Sequence, residues 1–250
     1  MRITKHITFF YLENRIQYVN KIIEETNNYN YPTDIFIHTN YVLLNIDYFI
    51  KYTNGNISIV SHYISNENPF YLTWKCRKVM EKLRNDYDIF IYLEDDILIP
   101  NKAIEYWEKY HEKLVENGYN LGFVRIETNN NEEYITDIVD PGLSESITLN
   151  DVSYAVNNNN PYCAFWIYDA KEFNKFVDSI YWDPNNIPTY DIREKSAVGL
   201  HGFGITWYKN TLIPIINKKL IDECRVYHLP NNYINSDSAF GKLKFNEAFK

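Results

Sequence analysis

A chain of 250 residues that is 45% hydrophobic and 17% aromatic has too much core material to be disordered, and enough length for one large domain or two small ones. Its formal charge of −8 leaves no dominant basic stripe for a phosphate backbone, which excludes nucleic acid as the expected partner. Cys76, Cys163 and Cys224 are odd in number and widely spaced, so they predict neither a disulfide framework nor a zinc site and fit a reducing compartment, the cytoplasm.

The opening "MRITKHITFFYLENR" carries basic residues and a short apolar run. It has no small-residue cleavage site and passes straight into Glu13 and Arg15, so it reads as a first strand, Ile3 to Leu12, rather than a signal peptide. A helix over Arg15 to Thr26 follows, with Ile16, Val19, Ile22 and Ile23 at helical spacing. Asp34 to His38 reads as a second strand, Val42 to Tyr52 as a helix stopped by the turn pair Asn54-Gly55, and "NISIVSHYI" as a third strand. Pro69 opens a helix through about Arg84, and Asp88 to Leu93 is a fourth strand, apolar enough to be covered on both faces. A helix from Pro100-Asn101 to Gly118 completes the first half.

Beyond it the pattern loosens. "NLGFVRIET" reads as a strand, Asn129 to Asn160 as a polar region with two weak strands, "YCAFWIYD" as a strand, "AKEFNKFVDSI" as a helix and "DIREKSAVGL" as a last helix. The alternation predicts an α/β chain with a Rossmann-like, mostly parallel mixed sheet flanked by helices. We expect one domain with two lobes, a nucleotide-like βαβ half over residues 1–118 and a more irregular half over 119–250. No apolar run reaches the roughly 20 residues needed to span a bilayer. The 23 tyrosines, together with abundant Asn, Ile and Lys, fit an AT-rich bacterial or viral genome.

Within "DIFIYLEDDILIP", Glu94, Asp95 and Asp96 stand side by side at the end of the fourth strand. Adjacent carboxylates repel, more strongly near a low-dielectric wall, and a divalent cation would turn that repulsion into attraction. The carboxyl end of a central strand is also where open α/β sheets place ligands. In an extended chain Glu94 and Asp96 point to one side and Asp95 to the other. A solvated acidic turn is the plainer reading.

"YLEDDILIPNKAIEYW" and "YLENRIQYVNKII" resemble the acidic segment and the opening strand and helix of GT-A fold glycosyltransferases, in the EDD variant of the DXD motif found in the N-acetylglucosaminyltransferase I family. The resemblance covers the first half well and the second loosely. It implies a metal-dependent transferase that moves a sugar from a nucleotide sugar, a UDP-sugar, to a glycan or other hydroxyl acceptor with inversion, using Mn²⁺ or Mg²⁺. By the same resemblance Asp96 is the metal ligand, with His228 of "YHLPNNYI" completing the shell. Glu94 and Asp95 hold ribose and donor sugar, Arg15 approaches the donor, Thr39 lies near the base, and Asp191 is the general base.

Each role has a plainer rival. Arg15 is also an ordinary helix-surface residue, His228 a structural histidine, and Asp191 with Glu194 a helix cap. Asp183 is the substitute base. Arg125 and Glu127, just past a strand end, and Trp182 are candidate acceptor contacts, while Trp166 lies inside an apolar strand and reads as core. Lys75, Arg77 and Lys78 form a small basic cluster that reads as a solvated helix face. There is no P-loop pattern, and Gly202 and Gly204 follow a predicted helix rather than a strand, so no dinucleotide fingerprint is expected. The rival functions are a nucleotidyltransferase, which would carry a glycine-rich loop after the first strand, and a noncatalytic carbohydrate-binding protein.

Overall fold

The strand Ile3–Phe9 (β1) is buried along its whole length, as a parallel strand covered from both sides must be. In the computed structural model, which describes residues 1–43, 46–64 and 67–250, β1 leads through the helix Ile16–Thr26 (α1) to Thr33–Thr39 (β2), and then to Ile57–Ser61 (β3). Two short helices, Leu72–Lys75 (α2) and Arg77–Lys82 (α3), precede Ile89–Glu94 (β4), which is likewise fully buried.

The sheet order is β3, β2, β1, β4, all parallel, with Phe165–Asp169 added antiparallel on the β4 edge. From β1 the chain steps outward to β3, then crosses back to the far side of β1 for β4. That reversal between β1 and β4 is a topological switch point, where the carboxyl ends of the strands splay and leave a crevice. α1 covers the sheet with Val19, Ile22, Ile23 and Thr26, the stripe its periodicity predicts.

Three imidazoles run across this sheet, one from β1, one from β2 and one just after β3. His6 Nδ1 lies 2.9 Å from His38 Nε2, and His38 Nδ1 lies 2.9 Å from His62 Nε2, with Thr4 Oγ1 closing the inner end at 3.0 Å from His6 Nε2. Burial holds His6 down to about 3. His38 is also depressed, by burial and by its two neighbours. This row of imidazoles is therefore neutral at pH 7, with His6 and His38 each donating to one neighbour and accepting from the other.

These elements belong to one compact unit, Met1–Ile97 with Ala164–Gly199; a second comprises Leu98–Cys163 and Leu200–Lys250. The second unit contains the helix Asn101–Glu116 (α4) and two small sheets. In one, Ser146–Leu149, Val152–Asn157, Thr211–Ile216 and Lys219–Leu220 run antiparallel in that order. In the other, Val124–Asn129 lies between Glu132–Ile135, antiparallel, and Arg225–His228, parallel. Three of the connections are two-residue hairpins, Asn130-Asn131, Asn150-Asp151 and Asn217-Lys218, with both residues at positive φ. That is the twist a tight hairpin needs, and Asn tolerates it better than most residues.

The chain is thus α/β with mixed sheets flanked by helices, as expected. The units do not follow a division at residue 118. Phe165–Asp169 returns to the first sheet because its apolar residues complete the exposed edge of β4, and the segment through Gly199 follows it. Two expected helices are corrected. The described part of Val42 to Tyr52 holds only the 3-10 turn Ile46–Tyr48; Leu44 and Asn45 lie outside the described residues. Asn20 and Asn27 accept the backbone N–H groups of Ile50 and Thr53 and hold the end of that segment. "DIREKSAVGL" shrinks to the single turn Glu194–Ala197. The polar stretch 129–160 holds three strands, not two. Among the described residues no helix is long and apolar enough to cross a membrane.

Candidate functional site

Glu94 ends β4 and pairs in register with Thr8 of β1, on either side of the switch point. Asp95 and Asp96 form the turn that follows. This turn breaks the strand alternation expected of the triplet, so Asp95 and Asp96 meet one cation while Glu94 faces another. The three acids are only 5, 6 and 6% exposed, and three buried carboxylates need compensating charge.

Two arginines supply it. Arg15 stands at the N-cap of α1, the helix end where a cation is disfavoured by the macrodipole. Its Nε donates to Asp95 Oδ2 at 2.7 Å and its Nη2 to Asp95 Oδ1 at 2.6 Å, and Nη2 also reaches Asp96 Oδ2 at 2.7 Å. Burial, with the neighbouring Asp96 charge, pushes the Asp95 carboxyl up to about 6, and the Arg15 fork offsets only part of that rise. The short bidentate geometry favours the ionised pair. The second cation is Arg193, whose Nε lies 3.5 Å from Glu94 Oε2 and whose guanidinium lies over the Phe70 ring. The Arg15 side chain is 27% exposed, so breaking its pair with Asp95 costs less than a sealed pair would, about 1–3 kcal/mol. The Arg193 pair, long and with an arginine side chain 45% exposed, belongs with surface pairs worth about 0–1 kcal/mol.

These groups line a cleft of about 220 Å³ at the carboxyl ends of β1 and β4. Its charged side is Arg15, Glu94, Asp95 and Arg193, and its apolar side includes Phe10, Leu12, Phe70 and Leu72, with Thr8 between them. The loop bearing Arg193 is tied down by neighbours in the same unit. Trp74 Nε1 donates to Ile192 O at 2.6 Å, Ser196 Oγ to Thr73 O at 3.0 Å, and Trp166 Nε1 to Ser196 O at 2.9 Å. Arg77, buried between Phe176 and Trp182, donates to the carbonyls of Tyr181, Trp182 and Lys195. The member of the basic cluster that matters is therefore a buried brace, not a solvated face.

The donor set was tested for a divalent cation. Asp95 Oδ1 and Asp96 Oδ2 converge on one atom, Arg15 Nη2, so two hard oxygens already share a point filled by positive charge. Among the described residues, no group of three or more His, Cys, Asp or Glu side chains is arranged to hold a metal ion. Two carboxylates suit Mg²⁺ or Mn²⁺, which complete their shells with water and substrate phosphate, better than Zn²⁺ or Ca²⁺. The residues fit such an ion on condition that it exchanges with Nη2.

The other expected site residues are placed as follows. Arg15, Glu94 and Asp95 line the cleft, and Asp96 joins them through Arg15 without lining it. Thr39 is fully buried at the end of β2 and is not on the cleft wall, a correction to its expected place near a base. Asp191 is exposed and also off the wall; its backbone N–H meets Glu194 Oε2 at 3.4 Å, but its side chain makes no cap. Trp182 packs against Phe173, Phe176 and Arg77, in place of the expected acceptor contact.

His228 lies in the second unit, where its Nδ1 is 2.6 Å from Glu127 Oε1. Glu127 also accepts from the backbone N–H groups of Ile234 at 2.7 Å and Tyr233 at 3.1 Å. Burial pushes Glu127 up, but these hydrogen bonds outweigh it and hold the carboxyl below its usual range. Arg125 is buried, forked onto Asp137 at 2.7 and 2.8 Å, and flanked by Tyr162 and Tyr233. Glu127 and Arg125 are thus internal struts, and their expectation as acceptor contacts is corrected.

Sequence reasoning passed over Arg193, Thr8 and Phe70. Thr8 was findable, as the penultimate residue of a strand beside the acids. Arg193 was not, because only the return of residues 164–199 to the first unit carries it there. Compared with models of known families the chain matches none, and no curated protein shows significant sequence similarity to it.

Proposed function

We propose that the protein is a metal-dependent glycosyltransferase of the GT-A type that takes a nucleotide sugar, a UDP-sugar, as donor and a glycan or other hydroxyl as acceptor, with inversion. The observation that carries this reading is the convergence of Asp95 and Asp96 oxygens on one cation-filled point beside a switch-point cleft. Charge arithmetic supports it. Three acids and two arginines leave one net negative charge around the cleft, so a diphosphate is repelled unless it arrives with a further cation.

Asp95 and Asp96 would hold Mn²⁺ or Mg²⁺, which when bound neutralises charge developing on the departing diphosphate. The chain's own residues do the rest. Arg15 keeps both carboxylates aligned until exchange. Phe70 and Leu12 offer apolar surface to the flat part of the donor and exclude water from it. In an inverting transfer the exposed carboxylate of Asp191 would take the acceptor hydroxyl proton.

The test is thermal stabilisation by UDP with and without Mn²⁺, followed by a panel of UDP-sugars monitored for released UDP. Stabilisation that needs Mn²⁺ and vanishes in Asp96→Ala is expected, with slow donor hydrolysis by one sugar. Glycan binding without any nucleotide effect would favour a noncatalytic carbohydrate-binding protein. Pyrophosphate release from a nucleoside triphosphate would favour a nucleotidyltransferase.

A further inference from the structure

The two arginines at the acids are held in opposite ways, and the difference assigns them different work. Arg15 is forked onto Asp95 with short, aligned hydrogen bonds and is only 27% exposed. Arg193 Nε lies 3.5 Å from Glu94 Oε2, longer than any of the Arg15 bonds, and the side chain keeps nearly half its surface in solvent with its guanidinium over Phe70. Its loop, by contrast, is fixed at Ile192 and Ser196 by the Trp74, Trp166 and Thr73 hydrogen bonds. A rigid backbone that carries a loosely paired, planar guanidinium on a cleft wall suits the binding of an incoming anion. The anchor is preorganised, and only the side chain has to move.

We propose that Arg193 is a phosphate-binding residue of the cleft, whose guanidinium leaves Glu94 and forks onto the diphosphate of the donor. This rests on the reading of the cleft as a nucleoside diphosphate site. The ligand class follows from the geometry: a guanidinium fork matches the paired oxygens of a phosphate, and the carboxylate it leaves is a resting partner that keeps it near the cleft. No bond is made or broken in this exchange.

The experiment measures binding of UDP, uridine and inorganic pyrophosphate, each with Mn²⁺, by calorimetry on the full chain and on Arg193→Ala and Arg193→Lys. Loss of a charge-assisted pair predicts UDP and pyrophosphate binding weaker by roughly tenfold or more in Arg193→Ala. Uridine binding should stay unchanged and Arg193→Lys should recover part of the loss. Unliganded thermal stability should match the parent, since the resting pair is weak. UDP binding by Arg193→Ala equal to the parent's overturns the assignment while leaving the cleft reading intact. Equal weakening of UDP and uridine also overturns it, because a phosphate contact cannot act on a ligand without phosphate. A parent chain that binds neither UDP nor pyrophosphate overturns the cleft reading, and this assignment with it.

Discussion

Each unit of this protein contains an arginine forked onto an aspartate, and the two pairs differ in what surrounds them. In the second unit Arg125 and Asp137 are sealed: Thr136 fills the remaining polar contact, Tyr162 and Tyr233 flank the guanidinium, and the arginine side chain is 4% exposed. In the first unit Arg15 and Asp95 sit at the switch point, on the wall of a cleft, with a second acid sharing one nitrogen. The same pair chemistry is a strut where no ligand can reach it and a candidate site where one can. Residue type alone does not distinguish them; access does.

The comparison can be broken by substitution, and the largest effect is expected at the sealed pair. Arg125→Ala leaves Asp137 buried without its counter-charge and should cost about 3–5 kcal/mol in urea unfolding. Equal stability would show that the second-unit pair is not the strut described. Arg15→Ala removes the cation from the point where Asp95 and Asp96 converge. It should lower stability by less, about 1–3 kcal/mol because solvent reaches the site, and it should tighten Mn²⁺ binding measured without nucleotide. Unchanged or weaker Mn²⁺ binding would mean that Nη2 does not occupy the cation's place.

Acid separates the units with a smaller effect. In the unfolded chain a histidine takes up its proton near pH 6.5. Burial holds His6 to about 3, depresses His38, and also lowers the less buried His62. The unfolded state therefore binds more protons, and stability is full above about pH 6.5 and falls as pH drops from there toward 3. The second unit has one such ring, His201, held to about 4. Its Glu127, depressed below the usual range, adds a loss only as pH falls below about 4.5. Amide exchange followed from pH 7 to 5 should loosen β1, β2 and β3 before the second-unit strands. Simultaneous loosening would show that the histidine chain carries no separate linkage.

Much of the first unit, and the helix α4 of the second, was legible in the sequence. Strands β1, β2 and β4 and helices α1 and α4 fall within a few residues of their expected limits because each is set by a local period: continuous apolar runs for the strands, a spacing of three and four for the helices. The acids were legible for another reason, since three like charges in a row depart from a local preference, while Arg15 was singled out by the resemblance of its segment. The asparagines were less well read. Taken as a trace of genome composition, several of them instead form hairpin turns at Asn130, Asn131, Asn150 and Asn217, where positive φ explains their presence.

By itself the sequence determined the parallel strands, the helices that cover them, and the place of Glu94, Asp95 and Asp96 at a strand's carboxyl end, because these follow from short-range pattern. Only the tertiary structure decided that Arg15 forks onto two of those acids, that residues 164–199 bring Arg193 to the same cleft, and that Thr39, Arg125 and Glu127 are enclosed. Those outcomes depend on which distant segments share a sheet edge or a wall. That choice is made by burial summed over many residues, and no single stretch of chain encodes it.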